Sequence, residues 1–251
     1  MVTFSVFPRI RSKWIAWLLL CLVFSQAFAV DITSSSLAPV TYGATGYSQP
    51  VAVINDTSGS YTYSTTGTLP GDFAIDLNSG VVSGTSTGSP SIYNFTVTVD
   101  NGLGDSDTAP ISITVNQRPV SITGLTAGDK QYDGSNAATI SGTATVNGAD
   151  VIGADDVTVS GTPAGTFATS NFGVGQTVTI TGLTLGGAQV ANYSLAAVTD
   201  LADIAKLPIN VTANDTGRAF GAANPTLTSV FGAFVDSDPQ KRTSPLVERA
   251  S

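Results

Sequence analysis

The sequence has no histidine, one cysteine, one methionine and two tryptophans, and Met1, Trp14, Trp17 and Cys21 all fall within its first 29 residues. From residue 30 onward the chain therefore has no thiolate nucleophile, no Ser-His-Asp triad, no imidazole base and no ordinary zinc site. Disulfides are excluded there as well, so stability must come from packed cores. Charge is scarce and one-sided. Outside the first 29 residues, seven basic side chains face eighteen acids, a net of −11, and seventeen of those acids are Asp. Nucleic acid and anionic lipid are poor partners for such a surface. In a chain rich in Thr, Ser and Gly, Asp marks turns and strand ends.

Long apolar runs are also missing, with one exception near the start. Arg9, Arg11 and Lys13 precede an apolar stretch from Trp14 to Phe24, and Ala27-Phe28-Ala29 supplies small residues after it. These are the three parts of a secretory signal, expected to be helical and cleaved after Ala29. The stretch is shorter than the ~20 residues of a membrane span. Export is expected, to an extracellular or cell-surface location, with no membrane insertion after cleavage.

What remains reads as all-β. Short alternating apolar runs recur between Gly, Asn, Asp and Pro clusters, and no long segment has the helical period. Ser91–Val99 is the clearest strand, with Tyr93, Phe95, Val97 and Val99 on one face and Asn94, Thr96 and Thr98 on the other. Asp100-Asn101-Gly102 ends it as a turn, and Pro110–Val115 returns with the same alternation. Val51–Ile54, Ser60–Tyr63 and Phe73–Asp76 are the expected partners. The segment 30–117 contains Leu69-Pro-Gly71, the run Ile75–Thr85 and the Tyr93–Val99 strand, and on these it resembles a putative-Ig, cadherin-like β-sandwich module of bacterial surface proteins. That resemblance implies loosely held calcium as a possible cofactor. The acidic linker motifs of true cadherins are missing here, and Asp100, Asp105 and Asp107 are the nearest substitutes; a solvated turn is the alternative.

Asn116-Gln-Arg-Pro119 reads as a joint where the ladder breaks, because Pro119 removes a donor and restricts Arg118. Residues 118–206 then carry Lys130-Gln-Tyr132-Asp133-Gly134, Asp155-Asp156, Val178–Leu185, and Asn192-Tyr193 followed by Ala202-Asp-Ile204. On these motifs the segment resembles the YDG domain, a module strung in tandem along large bacterial surface proteins. Tyr132, Asp133 and Gly134 are structural candidates: a ring for the core, a carboxylate to cap the turn, and a glycine for a backbone disallowed to other residues. Ile122-Thr-Gly-Leu-Thr126 recurs as Ile180-Thr-Gly-Leu-Thr184, consistent with two similar strand-plus-turn units. Residues 207–238, with Ile209–Asp215 and Arg218–Leu227, resemble the opening of an MBG domain, truncated. Residues 239–251 change composition abruptly, as the disordered tail of a broken or frameshifted longer protein would; a natural tail is the alternative. Asn-x-Ser/Thr triplets at Asn55, Asn94, Asn192, Asn210 and Asn214 are assigned no role, since so many Ser and Thr produce them by chance.

Two functional classes follow. One is a non-catalytic fragment of a bacterial adhesin, its β-modules serving as spacers or presenting loops to a protein or glycan on a host or neighbouring cell. Weak contacts along a stalk multiply by avidity. The other is a secreted carbohydrate-binding protein with Tyr42, Tyr47, Tyr61 and Tyr63 as its stacking surface. Neither needs a catalytic residue.

Overall fold

A computed structural model describes residues 29–54, 60–232 and 235 of the chain, so the expected export signal up to Phe28, Asn55 and residues 239–251 lie outside the described residues. The chain divides into two compact units between Gln117 and Arg118. The described residues are nearly all strand and turn, and helix is confined to two single 3-10 turns, Gly148–Asp150 and Val190–Asn192.

The first unit contains β1 (Asp31–Ile32), β2 (Val40–Thr41), β3 (Tyr47–Pro50), β4 (Val53–Ile54), β5 (Thr62–Gly67), β6 (Ala74–Ile75), β7 (Val81–Gly84), β8 (Ser91–Asp100) and β9 (Ser106–Asn116). One sheet has the order β2-β9-β8-β5, a second β3-β7-β6, and β1 pairs with β4. Strands β8 and β9 form because their apolar residues fall at period two. Phe95, Val97 and Val99 are buried on one, Ile111, Ile113 and Val115 on the other, and Phe95 pairs directly with Ile111. The opposite sheet contributes Val82, fully buried. Tyr63 of β5 lies so close over Gly80, just before β7, that a Cβ there would sit 2.5 Å from its ring. The two sheets therefore meet side chain to backbone at this point. Strand β9 starts at Ser106, four residues before the alternation becomes apolar, because the ladder continues from the turn whatever the polarity of the outer face. For the same reason β5 runs on to Gly67 rather than ending at Tyr63.

The second unit contains β10 (Arg118–Val120), β11 (Ile122–Ala127), β12 (Lys130–Gln131), β13 (Ala137–Ala138), β14 (Ile140–Val146), β15 (Thr158–Phe167), β16 (Gly173–Gly186), β17 (Tyr193–Leu195) and β18 (Val198–Ala205). Its main sheet has the order β12-β18-β16-β15-β13, with β11–β14 and β10–β17 as separate pairs. Phe167, Val178, Ile180, Leu183, Ala202 and Ile204 form the core, and Ile122, Leu125 and Tyr132 pack against it half-buried. The ladder breaks within the expected joint, at Gln117 between β9 and β10, but not at Pro119. Only Gln117 is left between strands, and Pro119 lies inside β10, opposite Ser194, on a strand paired with β17 alone. A proline is tolerated on such an edge because its missing N–H faces no partner strand. Later in the same unit, β19 (Val211–Ala213) and β20 (Ser229–Phe231) pair antiparallel, with Val211 and Val230 exposed.

The Ile-Thr-Gly-Leu-Thr echo is structural. In β11–β14, Leu125 lies opposite Gly142, Thr126 opposite Ser141 and Thr123 opposite Thr145. In β15–β16, Leu183 lies opposite Gly161, Thr184 opposite Ser160 and Thr181 opposite Ala164. The two registers agree residue for residue, including the shift between the last two pairs. Each bulge rests on two facing glycines at positive φ, Gly124 (+82°) with Gly142 (+96°) and Gly182 (+83°) with Gly161 (+111°). A Cβ on Gly142 would strike the Gly124 carbonyl, and one on Gly161 the Gly182 carbonyl. Alanine at Gly161 or Gly182 is expected to lower the stability of this unit by about 1–3 kcal/mol or more in urea titration. Gly153→Ala, also at positive φ but with open space around it, should cost less, about 1–2 kcal/mol of backbone strain alone. Equal losses at the three positions would show that the bulge contacts do not matter.

Candidate functional site

The turn that follows β12 gathers more side-chain chemistry than any other loop in the second unit. Lys130 donates from Nζ to Asp133 Oδ1 at 2.8 Å, to the Ser135 carbonyl at 2.7 Å and to the Ala137 carbonyl at 3.0 Å, and it lies over the Phe167 ring at 5.6 Å. All three ammonium hydrogens thus have acceptors, with the aromatic face close by. Asp133 Oδ1 also accepts from the Ser135 amide at 2.9 Å, and the Ser135 hydroxyl accepts from the Ala137 amide at 3.0 Å. Gly134 turns the chain at φ +77°. Tyr132 donates its amide to the Ala205 carbonyl at 2.8 Å and leans its ring, half-buried, on the core. The Lys130 hydrogen bond, followed by that of the Ser135 amide, holds the Asp133 carboxyl below its ordinary pKa. The side chain is thereby committed to its own turn. Around it stand a bound carboxylate, a serine and backbone, with no base placed to activate a nucleophile.

The same use of carboxylates recurs across both units. Asp107 Oδ2 accepts from the Ile32 amide at 2.7 Å, Asp150 Oδ2 from the Ser121 amide and hydroxyl at 2.9 and 2.6 Å, and Asp200 Oδ2 from the Ala127 amide at 2.8 Å. Asp129 accepts from the Asp203 amide, Asp203 from the Gly175 amide and Asp156 from the Ala188 amide. The donors lie 28 to 75 residues away in sequence, where a ladder ends or skips. Asp150 is held below the ordinary carboxyl range by the Ser121 hydroxyl and then the Ser121 amide, and Asp200 by the amides of Ala127 and Leu201. Asp76 is lowered in the same way by the amides of Ser79 and Asn78 in a tight turn.

The calcium candidates do not come together. Asp100 closes its own turn on the Gly102 amide at 2.6 Å, and Asp107 spends one oxygen on Ile32 and the other on the Thr108 amide. Asp105 donates its amide to Asn101 Oδ1 at 3.2 Å, and the buried Asn101 organises the turn that an ion would have held. Among the described residues no group of three or more carboxylates is placed to hold a metal. The four tyrosines of the carbohydrate reading do not form one surface either. Tyr42 and Tyr63 are buried, Tyr47 stacks on Phe73 at 4.8 Å and donates to the Ala38 carbonyl, and Tyr61 meets Tyr63 edge to face at 6.2 Å. Burial raises the phenol pKa of Tyr47 and Tyr63.

Sequence reasoning did not single out Lys130, Asp150 or Asp200. For Lys130 a signal was available: it is one of only seven basic residues beyond residue 29 and stands two places before Tyr132. Asp150 and Asp200 carried none, because their donors are distant in the chain.

Residues 30–116 match the model of the family described as "Putative Ig domain", and residues 116–200 match that of the YDG domain. The chain thus carries one of each, in that order. No curated protein matches it. Among solved structures it is similar to a protein of Bacteroides fragilis described as a "putative alpha-galactosidase/melibiase", at 14% identity and TM-score 0.30, covering 43% of this chain and 21% of that one. It is also similar to Drosophila N-cadherin EC1-4 and human protocadherin-24 EC1-2, each at 12% identity and TM-score 0.32 over 72% of this chain. The match covers 50% of the N-cadherin chain and 98% of the protocadherin chain. The chain spans about a fifth of the length of the Bacteroides protein.

Two measurements bear on the carboxylates. Groups whose folded pKa lies below the unfolded value of about 3.9 stabilise the fold fully above that pH, and the contribution disappears as pH falls through the folded values. The melting temperature should therefore hold between about pH 7 and pH 5 and drop below about pH 4. Asp150→Asn with Asp200→Asn should lower the neutral-pH value and flatten the acid limb; an unchanged limb in the double variant would remove both residues from the account. Millimolar calcium should leave the melting temperature unchanged, and a rise of several degrees would reinstate an ion at the turn Asp100–Asp107.

Proposed function

We propose that this chain is a non-catalytic, exported part of a larger bacterial adhesin, in which β-modules act as structural spacers and carry surface contacts away from the cell. The observation that supports it best is the succession of two different β-modules in which Asp carboxylates are turned onto backbone amides, leaving turns as the exposed chemistry. A glycosidase would have to work with a pair of carboxylates. A pair of them must stand roughly 5–10 Å apart with room for substrate between, whereas those described here are engaged inside their own loops and joints. The domain bounds that fit this reading are a signal at 1–29, an Ig-type module at 30–117, a YDG-type module at 118–206, the opening of an MBG-type module at 207–238 and a tail at 239–251.

Within the reading, Tyr132, Asp133 and Gly134 are structural residues that close the turn after β12 and have no part in recognition. The partner is a protein or glycan on a host or neighbouring cell, met through the exposed turns. The β8–β9 turn, with Leu103 exposed at its tip, and the β15–β16 turn, with Phe172 and Val174 exposed, are the apolar candidates for such contacts.

Antibody accessibility on intact, unpermeabilised producer cells tests the location, and attachment of those cells to a host-cell layer with the gene present and deleted tests the role. Surface staining with attachment reduced several-fold on deletion is the expected result. Staining only after permeabilisation, or attachment unaffected by deletion, would overturn the proposal. Retention of the full chain on a glycan array, abolished by Tyr61→Ala, would instead favour the carbohydrate-binding alternative.

A further inference from the structure

We infer that both modules are mechanical clamps, built so that tension between their ends shears parallel strand ladders, and that the Lys130–Gly134 turn is the peg of the second clamp. The inference rests on the stalk reading for its setting, while its geometry is independent of any ligand.

In the first unit the early strand β2 lies parallel to the last strand β9, with Val40 opposite Val115 and Thr41 opposite Asn116. The contact extends beyond both ends of β2. Ser112 donates its amide to the Ser35 carbonyl at 3.2 Å, Leu37 donates to the Ser112 carbonyl at 2.9 Å, and Tyr42 donates to the Asn116 carbonyl at 2.9 Å. Tension draws an entering strand back toward its N-terminus and an exiting strand on toward its C-terminus. For parallel neighbours these are opposite directions along a shared axis, so every bond between them is strained together. Antiparallel terminal strands loaded from one end would open one bond at a time. A single bond is worth only about 0.5–1.5 kcal/mol, so the arrangement decides whether the force meets one such bond or several.

The second unit divides the device between two parallel pairs: the entering strand lies on β17, which precedes the exiting strand β18 by two residues, and β18 itself lies on β12. At the entrance, β10 lies parallel to β17 over Arg118–Val120 and Tyr193–Leu195, and Ala196 donates to the Val120 carbonyl at 2.9 Å. Arg118 adds a bond from Nε to the Asp150 carbonyl, and Ser121 two more to the Asp150 carboxylate. At the exit, β12 lies parallel to β18, Lys130 opposite Ile204 and Gln131 opposite Ala205, and Tyr132 donates to Ala205, where β18 ends. A two-residue strand would slide under load if nothing fixed it. Lys130 fixes it, because its ammonium is tied to Asp133, Ser135 and Ala137 on the far side of the turn. The most recognisable motif of this module thus coincides with the place where an outward pull leaves it.

Resistance to force follows the unfolding barrier and not equilibrium stability, so single-molecule pulling is the test. The full chain carrying Cys21→Ser is held by its two ends and stretched. It is then stretched through handles at Val174→Cys and Pro208→Cys. Gly173 lies opposite Ile204 in the antiparallel β16–β18 pair, so these handles pull from the same end and peel the strands apart. The second unit should rupture at a force roughly twofold or more lower in the peeling geometry than when loaded through the ends. Lys130→Met, loaded through the ends, should lower the rupture force of the second unit and leave that of the first unchanged as an internal reference. Equal forces in both geometries, or a Lys130→Met chain that melts earlier yet ruptures at the parental force, would overturn the inference. Should the variant not fold, the comparison of geometries on the otherwise parental chain decides alone. A chain that shows the directional difference without mediating attachment keeps the clamp and loses the adhesin reading; the reverse pair of results does the opposite.

Discussion

The constraint on which these units depend is the need to satisfy backbone amides where strand ladders stop, in a chain with no disulfide and few large side chains to hide them. An unpaired buried amide costs about 1–3 kcal/mol, and each unit is assembled from several short, interrupted ladders. Aspartate is the remedy used throughout. Its short carboxylate reaches an amide on a neighbouring segment, accepts strongly because it is charged, and leaves the segment free to change direction. Asp107 ties the start of the first unit to its last strand, Asp200 ties β11 to β18, and Asp129 and Asp203 tie the β11–β12 turn and the start of β16 to β18. The same short reach favours Asp over Glu at these positions. Glutamate would carry the same charge on a longer, looser arm, with more rotamer entropy to lose on being fixed.

Much of the fold was legible in the sequence wherever one strand announced itself by alternation. Tyr93 to Val99 showed its inner face directly, and the all-β class followed from many such runs. The Ile-Thr-Gly-Leu-Thr echo was legible as a repeat of letters, and its meaning became clear only from the register, since the second half of each bulge, Ser141-Gly142 and Ser160-Gly161, is a short pair common in a chain of this composition. Strand β9 started early because pairing, unlike burial, does not need apolar residues. Pro119 misled because a proline stops a central strand but not an edge. The candidate site divided in the same way. Tyr132, Asp133 and Gly134 could be named from the motif, while the grip of Lys130 depends on two carbonyls that have no side-chain signature. The carboxylate ties joined residues too far apart in sequence for any local pattern to record.

The absence of histidine and cysteine beyond residue 29 and the deployment of aspartate point the same way. Side chains that elsewhere perform acid–base chemistry are here consumed in holding turns, and the lysine most enclosed by the structure is saturated with acceptors. In both units these polar side chains are committed to their own backbone. The two modules have different cores and a common device, a short early strand laid parallel to a late one, β2 on β9 and β12 on β18.

The matched bulges carry a cost that a single unit conceals. Strands β11 and β16 are interchangeable in register, and so are β14 and β15, because each pair places Leu, Gly and Thr at the same steps. Two such modules side by side on one chain would offer four bulged strand pairs able to trade partners during synthesis, when neighbours are close and half-folded. A neighbour of different register offers no such exchange. The Ig-type module before this one in the chain is of that kind, its ladders carrying no such matched bulge, so the order of unlike modules insulates each from the other during folding.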